Sequence, residues 1–169
     1  MNKTIAVIGS SRRNGNTGKL IDLIAADLKI DVIDLTTKNI SPYDYDHQNI
    51  GDDYLLLMDH LLKFENIIFV SPVYWYSMSA QMKIFIDRMS DLLALEELKD
   101  RGRKLRTKTG YVVSTSISEQ VEDSFIDSFK NTFAYLGMNY GGFIHVDCKD
   151  GFKPESCRSD VEDFVNKFK

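Results

Sequence analysis

Between residues 9 and 17 the chain reads Gly9-Ser10-Ser11-Arg12-Arg13-Asn14-Gly15-Asn16-Thr17. The hydroxyls of Ser10, Ser11 and Thr17, the amides of Asn14 and Asn16 and the guanidinium groups of Arg12 and Arg13 are the donors a phosphate takes. Gly9 and Gly15 permit tight turns and close approach of backbone. The glycine spacing fits neither the dinucleotide fingerprint nor the P-loop. Taken alone, the stretch is therefore also readable as an ordinary polar connection between a strand and a capped helix.

Two further stretches carry chemistry. Ser71-Pro72-Val73-Tyr74-Trp75-Tyr76-Ser77-Met78-Ser79 places three adjacent aromatics, including the single Trp, just after an apolar run. Aromatic faces beside backbone donors suit a flat heteroaromatic ligand, apolar on its faces and polar on one edge. A packing or subunit-contact loop is the plainer alternative. Ser114-Thr115-Ser116-Ile117-Ser118 is small and hydroxyl-rich, which fits either a ligand wall or a helix cap. Together the three stretches describe one ligand, with a phosphate on the first and a planar ring between the other two. Flavin mononucleotide has that anatomy, and so does a purine mononucleotide.

The elements that must hold these loops follow from hydrophobic pattern. Strands are expected at Thr4–Ile8, Ile30–Leu35, Asn66–Ser71, Thr109–Thr115 and Gly142–Cys148. Continuous apolar runs such as Ile67-Ile68-Phe69-Val70 suit strands covered on both faces. Helical stripes run through Leu20, Ile24 and Leu28. A second runs through Leu55, Met58, Leu61 and Leu62, with Asp52 or Asp53 as its cap. A third runs from Met78 through Met82, Phe85 and Met89 to Leu92, a fourth from Val121 to Leu136, and a last from Cys157 to Phe168. The alternation predicts one α/β domain over residues 1–169, a three-layer doubly wound sheet of five parallel strands in the order 2-1-3-4-5. Ligands of such sheets sit beyond the carboxyl ends of the strands at the switch point, where all three loops would emerge.

Other features exclude more than they assign. A net charge of −4 argues against a nucleic-acid partner, and no apolar run is long enough for a membrane span. Met1-Asn2-Lys3 leads directly into the first strand without a signal-peptide pattern. Cys148 and Cys157 form no CxxC pair, so reduced thiols and a cytoplasmic location are expected. His47, in the long loop Thr36–Gly51, lacks companion ligands, and no metal site is expected. The charged segment Glu96–Lys108 reads as a solvated connection, or as help in attracting an anionic nicotinamide nucleotide.

The first loop, together with Ser71-Pro72-Val73-Tyr74-Trp75 and Gln81-Met82-Lys83-Ile84-Phe85-Ile86-Asp87-Arg88, resembles the flavodoxin-fold NAD(P)H-dependent FMN reductase and quinone oxidoreductase superfamily. The resemblance spans nearly the whole chain. It implies that Ser10, Arg12, Asn14, Asn16 and Thr17 hold the FMN phosphate. Pro72, Val73, Tyr74, Trp75 and Ser77 would line the isoalloxazine, with Ser114, Thr115 and Ser116 on the far side. Tyr76, where many relatives have Gly, would narrow the open face of the ring. The Thr36–Gly51 region has no cysteine, which sets aside the iron–sulfur branch.

The reaction so implied is hydride transfer from NAD(P)H through FMN to a small acceptor such as a quinone, flavin, azo or nitro compound. The flavin performs the redox chemistry, so no catalytic side chain is named. A one-electron flavodoxin-like carrier and a non-redox mononucleotide-binding module are the alternatives. The exposed aromatics and the resemblance together predict a homodimer, or a homotetramer, whose interface lies near the flavin.

Overall fold

The structure is a computed structural model that describes residues 3–49 and 51–168. Met1 and Asn2, read above as leading into the first strand, lie outside the described residues, as do Ile50 and Lys169. Five strands form one parallel sheet: β1 (Thr4–Ile8), β2 (Val32–Asp34), β3 (Asn66–Val70), β6 (Thr109–Ser116) and β7 (Asn139–Asp147). Their spatial order is β2-β1-β3-β6-β7, the doubly wound order expected. Between β3 and β6 a two-stranded hairpin, β4 (Val73–Tyr74) and β5 (Ser77–Met78), stands apart from the sheet.

Helices cover both faces. Residues alternate across the sheet, so Ile5, Val7, Ile67, Phe69 and Val112 face one side, where α2 (Tyr54–Leu61), α3 (Ala80–Asp87) and α6 (Asp123–Leu136) pack. Ala6, Ile8, Ile68, Val70 and Val113 face the other, against α1 (Asn16–Leu28) and α7 (Pro154–Asn166). Burial on both faces is why these strands are apolar throughout rather than alternating.

Several boundaries differ from the sequence reading. The third helix does not begin at Met78, which belongs to β5; Ser79 caps it instead, accepting from the Met82 N–H at 3.2 Å. The same stripe then passes through a 3₁₀ turn at Arg88–Ser90 before a short α4 (Asp91–Ala94). The charged connection also folds, into α5 (Lys99–Lys104) between two further 3₁₀ turns. At the second helix, Asp52 accepts the Tyr54 N–H at 3.0 Å, whereas Asp53 makes no cap bond and holds the Asn39 N–H at 2.7 Å.

The Thr36–Gly51 excursion is pinned down by carboxylates. Asp52 also accepts the Ser41 N–H at 2.8 Å, and Asp44 accepts from the amides of Asp46 and Gln48. Beneath the loop lies Arg88, with no exposed surface. Its Nε meets Asp91 at 2.6 Å and its Nη1 meets Asp52 at 2.5 Å. Nη1 also reaches the Ser41 carbonyl (3.1 Å) and Nη2 the Asn49 carbonyl (3.0 Å), and the guanidinium lies 4.8 Å from the Tyr54 ring centre. Burial alone would lower the Arg88 pKa, but the two carboxylates outweigh it and the net shift is upward. His47, whose role the sequence left open, places Nδ1 2.8 Å from Asp91 and completes this network.

Candidate functional site

Beyond the carboxyl ends of β1, β3 and β6 the three loops enclose one cleft of about 740 Å³. That volume lies within the range of small-molecule and cofactor sites. The first loop contributes Ser10, Arg12, Asn16 and Thr17, together with Gly15. The hairpin contributes Pro72, Val73, Tyr74, Trp75 and Tyr76, and the stretch after β6 contributes Thr115 and Ser116.

The first loop curls tightly where β1 gives way to α1. A Cβ on Gly18 would fall 1.6 Å from the Arg13 carbonyl oxygen, so only glycine lets the loop fold back onto the first helical turn. Gly15 occupies the N-cap position and supplies no side-chain cap. Among the described residues the N–H groups of Asn16, Thr17 and Gly18 have no protein acceptor. Thr17 and Gly18 are nonetheless buried. A buried helix end with unmet donors and its positive dipole end is a site for an anion.

The two neighbouring arginines divide sharply. Arg13 forms two bonds to Asp22, at 2.5 and 3.1 Å, and turns back to the Gly18 carbonyl. Arg12 is exposed on the cleft and has no acidic partner among the described residues. Arg12 is thus the guanidinium free to meet a ligand, while Arg13, counted among the phosphate donors by its type, serves the helix.

Small buried hydroxyls hold the loops together. Thr17 Oγ1 and Thr115 Oγ1 share a hydrogen bond of 2.7 Å, which ties α1 to the end of β6. Ser79 donates to the Gly9 carbonyl, and its own N–H donates to Ser71 Oγ at 2.9 Å. These bonds anchor the hairpin base to the end of β1. At the hairpin tip Trp75 and Tyr76 both have positive φ, 50° and 63°, the signature of a type I′ turn. Their side chains stand in solvent: Trp75 is 93% exposed, Tyr76 67% and Tyr74 45%.

Three residues expected in the site do not line the cleft. Asn14 stands exposed on the outer turn of its loop. Ser77 lies on the return strand of the hairpin, paired with Tyr74. Ser114 points to the sheet face opposite Thr115, where it is fully buried and bonded to His145 at 3.0 Å. Conversely, Gln120, Val121 and Glu122 line the cleft without having been singled out for it, beside Ile117 and Ser118 of the third stretch. Val121 looks like the first member of a helical stripe, which hid a connector running from the end of β6 at Ser116 to the start of α6 at Asp123.

The charged segment is the connection into β6. It leads into the amino end of β6, the edge of the sheet opposite the cleft. Lys99, Arg101 and Arg103 are paired there with Glu96, Asp59 and Asp100.

A doubly wound sheet with an anion cradle and an aromatic wall at its switch point is a mononucleotide site on a flavodoxin-like fold. Geometry by itself still leaves a flavin and a purine open. The chain belongs to the NADPH-dependent FMN reductase family, whose model matches residues 2–144. It is 30% identical over 149 residues to YwqN of Bacillus subtilis (strain 168), whose name proposes an NAD(P)H-dependent FMN-containing oxidoreductase. That match covers 83% of this chain and 82% of the relative. It is 27% identical to the iron–sulfur flavoprotein MJ1083 of Methanocaldococcus jannaschii, over 94% of this chain and 88% of the relative.

Among solved structures, the Trp repressor binding protein of B. subtilis superposes with a TM-score of 0.77 at 23% identity, covering 99% of this chain and 98% of that one. An FMN-dependent NADH-azoreductase from Bacillus anthracis in complex with FMN gives 0.70 at 13% identity, again over 99% and 98%. At those identities the likeness establishes the flavodoxin-like fold. Family membership makes the protein a flavoprotein, an FMN-dependent oxidoreductase. The donor set fits that cofactor: unmet helix N–H groups and Arg12 for the phosphate, and aromatic faces for the ring.

Proposed function

We propose that this protein takes electrons from NADH or NADPH and delivers them, through bound FMN, to a small acceptor such as a quinone, a flavin, an azo compound or a nitro compound. What carries the reading is one juxtaposition. An uncapped, buried helix end with a free arginine faces three aromatic side chains across a single cleft.

FMN, when bound, supplies the redox chemistry. The chain's own groups do the rest. The N–H groups of Asn16, Thr17 and Gly18, with Arg12 and the hydroxyls of Ser10 and Thr17, would hold the phosphate. Tyr74, Trp75 and Tyr76 would give the ring an apolar surface and exclude water from it. Backbone N–H groups along the hairpin would favour the anionic reduced ring. None of these residues has to exchange a proton with substrate.

Three aromatics in solvent at a cofactor cleft also favour a second subunit. We propose a homodimer, or a tetramer of such dimers, in which the partner covers the hairpin tips and deepens the cleft, and which works in the cytoplasm.

Purified protein should absorb near about 450 nm, as oxidised flavin does, and should release FMN on denaturation. Anaerobic addition of NADH or NADPH should bleach that band, and added acceptor should restore it. Bound FMN that answers neither nicotinamide would point to an electron carrier. Colourless protein that takes up no FMN would sink the oxidoreductase reading. Light scattering at micromolar concentration tests the dimer.

A further inference from the structure

His145 stands in β7 directly opposite Ser114 of β6. Its Nδ1 lies 3.0 Å from Ser114 Oγ, and its Nε2 lies 3.0 Å from the Ser118 carbonyl oxygen and 3.2 Å from Ser116 Oγ. A carbonyl oxygen can only accept, so Nε2 carries the hydrogen. In the neutral ring Nδ1 is then bare and accepts the Ser114 hydroxyl. Ser114 has no exposed surface, so that hydroxyl depends on the imidazole for a partner.

The contacts on the other side matter more. Ser116 Oγ accepts the Ser118 N–H at 3.0 Å and donates to the Ser118 carbonyl at 3.2 Å. The Nε2–H therefore closes a small ring of bonds that fixes the turn at residues 116–118. Among the described residues, no other side chain from outside residues 116–122 hydrogen-bonds to that connector. Ser116 and Ser118 line the cofactor cleft, whereas His145 does not. His145 instead lines a neighbouring groove of about 550 Å³, whose charged lining residues are Glu119, Asp160, Asp163 and Lys167.

We infer that His145 is a positioning residue for the flavin. It acts through Ser116 and Ser118, setting the third wall of the cleft from behind without touching the cofactor. The inference rests on the FMN reading above. It concerns the ring side of the site, because the FMN reading sets the ring between the hairpin and the stretch after β6.

The test compares His145→Ala with His145→Gln, whose amide offers both a donor and an acceptor. Affinities for FMN and riboflavin are measured by quenching of flavin fluorescence, alongside the flavin midpoint potential and the melting temperature of the apoprotein. His145→Ala should weaken both ligands, by roughly tenfold each, as expected for loss of one half-buried hydrogen-bonded strut. It should also shift the potential. His145→Gln should recover most of both effects.

Nitrogen-15 spectra of the wild-type apoprotein should show the Nε2–H tautomer, a readout that needs no flavin. A Nδ1–H tautomer would overturn the inference. So would ligand affinities and a potential within about twofold of wild type in His145→Ala. Losses that track the melting temperature in both variants would make the residue merely structural. Wild-type protein that takes up no FMN would overturn the parent reading. Wild-type protein that binds FMN beside an unaffected variant would overturn only this one.

Discussion

Arg12 and Arg88 are chemically identical and end in opposite situations. Around Arg88 each guanidinium nitrogen is matched: two carboxylates and two carbonyls accept from it, and an aromatic ring covers its face. Around Arg12 the donors outnumber the acceptors, and the nearby helix end offers three more. A guanidinium can be buried only where its charge and hydrogen-bonding needs are met from within. One left free beside unmet N–H groups marks a place completed by something from outside. The difference separates a residue that builds the fold from one that the proposed function assigns to the ligand, and it can be broken at either end.

The largest effect is expected at Arg88. Arg88→Ala leaves Asp52 and Asp91 buried without their counter-charge and unpins residues 41–49. It should destabilise the protein by about 3–5 kcal/mol in urea unfolding. Asp52 gives the same network a signature in pH. Burial pushes its carboxyl up, but the Ser41 N–H, Arg88 and the Tyr54 N–H together outweigh burial and hold it below its ordinary value. Its contribution to stability is therefore complete above the unfolded-state pKa of about 3.9 and drains away as pH falls through the lower folded value. Acid unfolding of wild type should steepen below about pH 4, and Asp52→Asn should lose that component. An Arg88→Ala protein as stable as wild type would show that the network does not hold the loop.

At Arg12 the expectation is reversed. Arg12→Ala should leave the apoprotein's melting temperature unchanged and weaken FMN by about 1.5–3 kcal/mol, through loss of a charge-assisted contact. Riboflavin, which lacks the phosphate, should bind nearly as before. Equal losses for both flavins would move Arg12 from the phosphate to the ring or to the scaffold.

The hairpin tip sharpens the comparison from a third side. Two-residue type I′ turns favour Asn-Gly, because both positions need positive φ. This chain places Trp75 and Tyr76 there instead. Bulky residues in that conformation carry strain of order 1 kcal/mol or more each, which persists where function requires it. Replacing the pair with Asn-Gly should stabilise the apoprotein by about 1–2 kcal/mol while weakening both flavin binding and subunit association. A variant that is more stable and keeps its flavin and oligomeric state would show that the aromatics are dispensable.

Why was the cleft legible in the sequence while the Arg88 network was not? The sheet order followed from buried strands alternating with amphipathic stripes, and the switch-point rule then picked out the three loops. Those loops announce themselves because their donors and aromatics are out of place for simple packing. Arg88, Asp52, Asp91 and His47 are scattered over some forty positions, and each alone looks like a surface charge or a cap. Their meeting depends on how an irregular loop drapes over a helix, which no period encodes. The same limit explains Arg13, whose partner Asp22 lies well into the following helix, and Ser114, whose orientation depends on which strand face looks toward His145. Spacing showed which donors were available to a phosphate. It did not show which of them the fold had already taken.

The smallest effect tests the one exception inside the satisfied region. Tyr54 is fully buried, and its hydroxyl has no hydrogen-bond partner among the described residues. Burial raises its pKa well above the ordinary value, so the group stays a neutral O–H. The ring has a clear task, since the Arg88 guanidinium lies over it and Phe85 packs at 5.7 Å between ring centres. The hydroxyl has none, and an unmet buried donor costs stability. Tyr54→Phe keeps the ring and removes the orphan, so the melting temperature should hold or rise, by the equivalent of up to about 1 kcal/mol. Tyr54→Leu, which also removes the aromatic face under Arg88, should destabilise by about 1–2 kcal/mol relative to Phe. If Tyr54→Phe instead loses more than about 1 kcal/mol, the hydroxyl is bonded in solution, and the Arg88 region is held by one more polar contact than the protein alone provides.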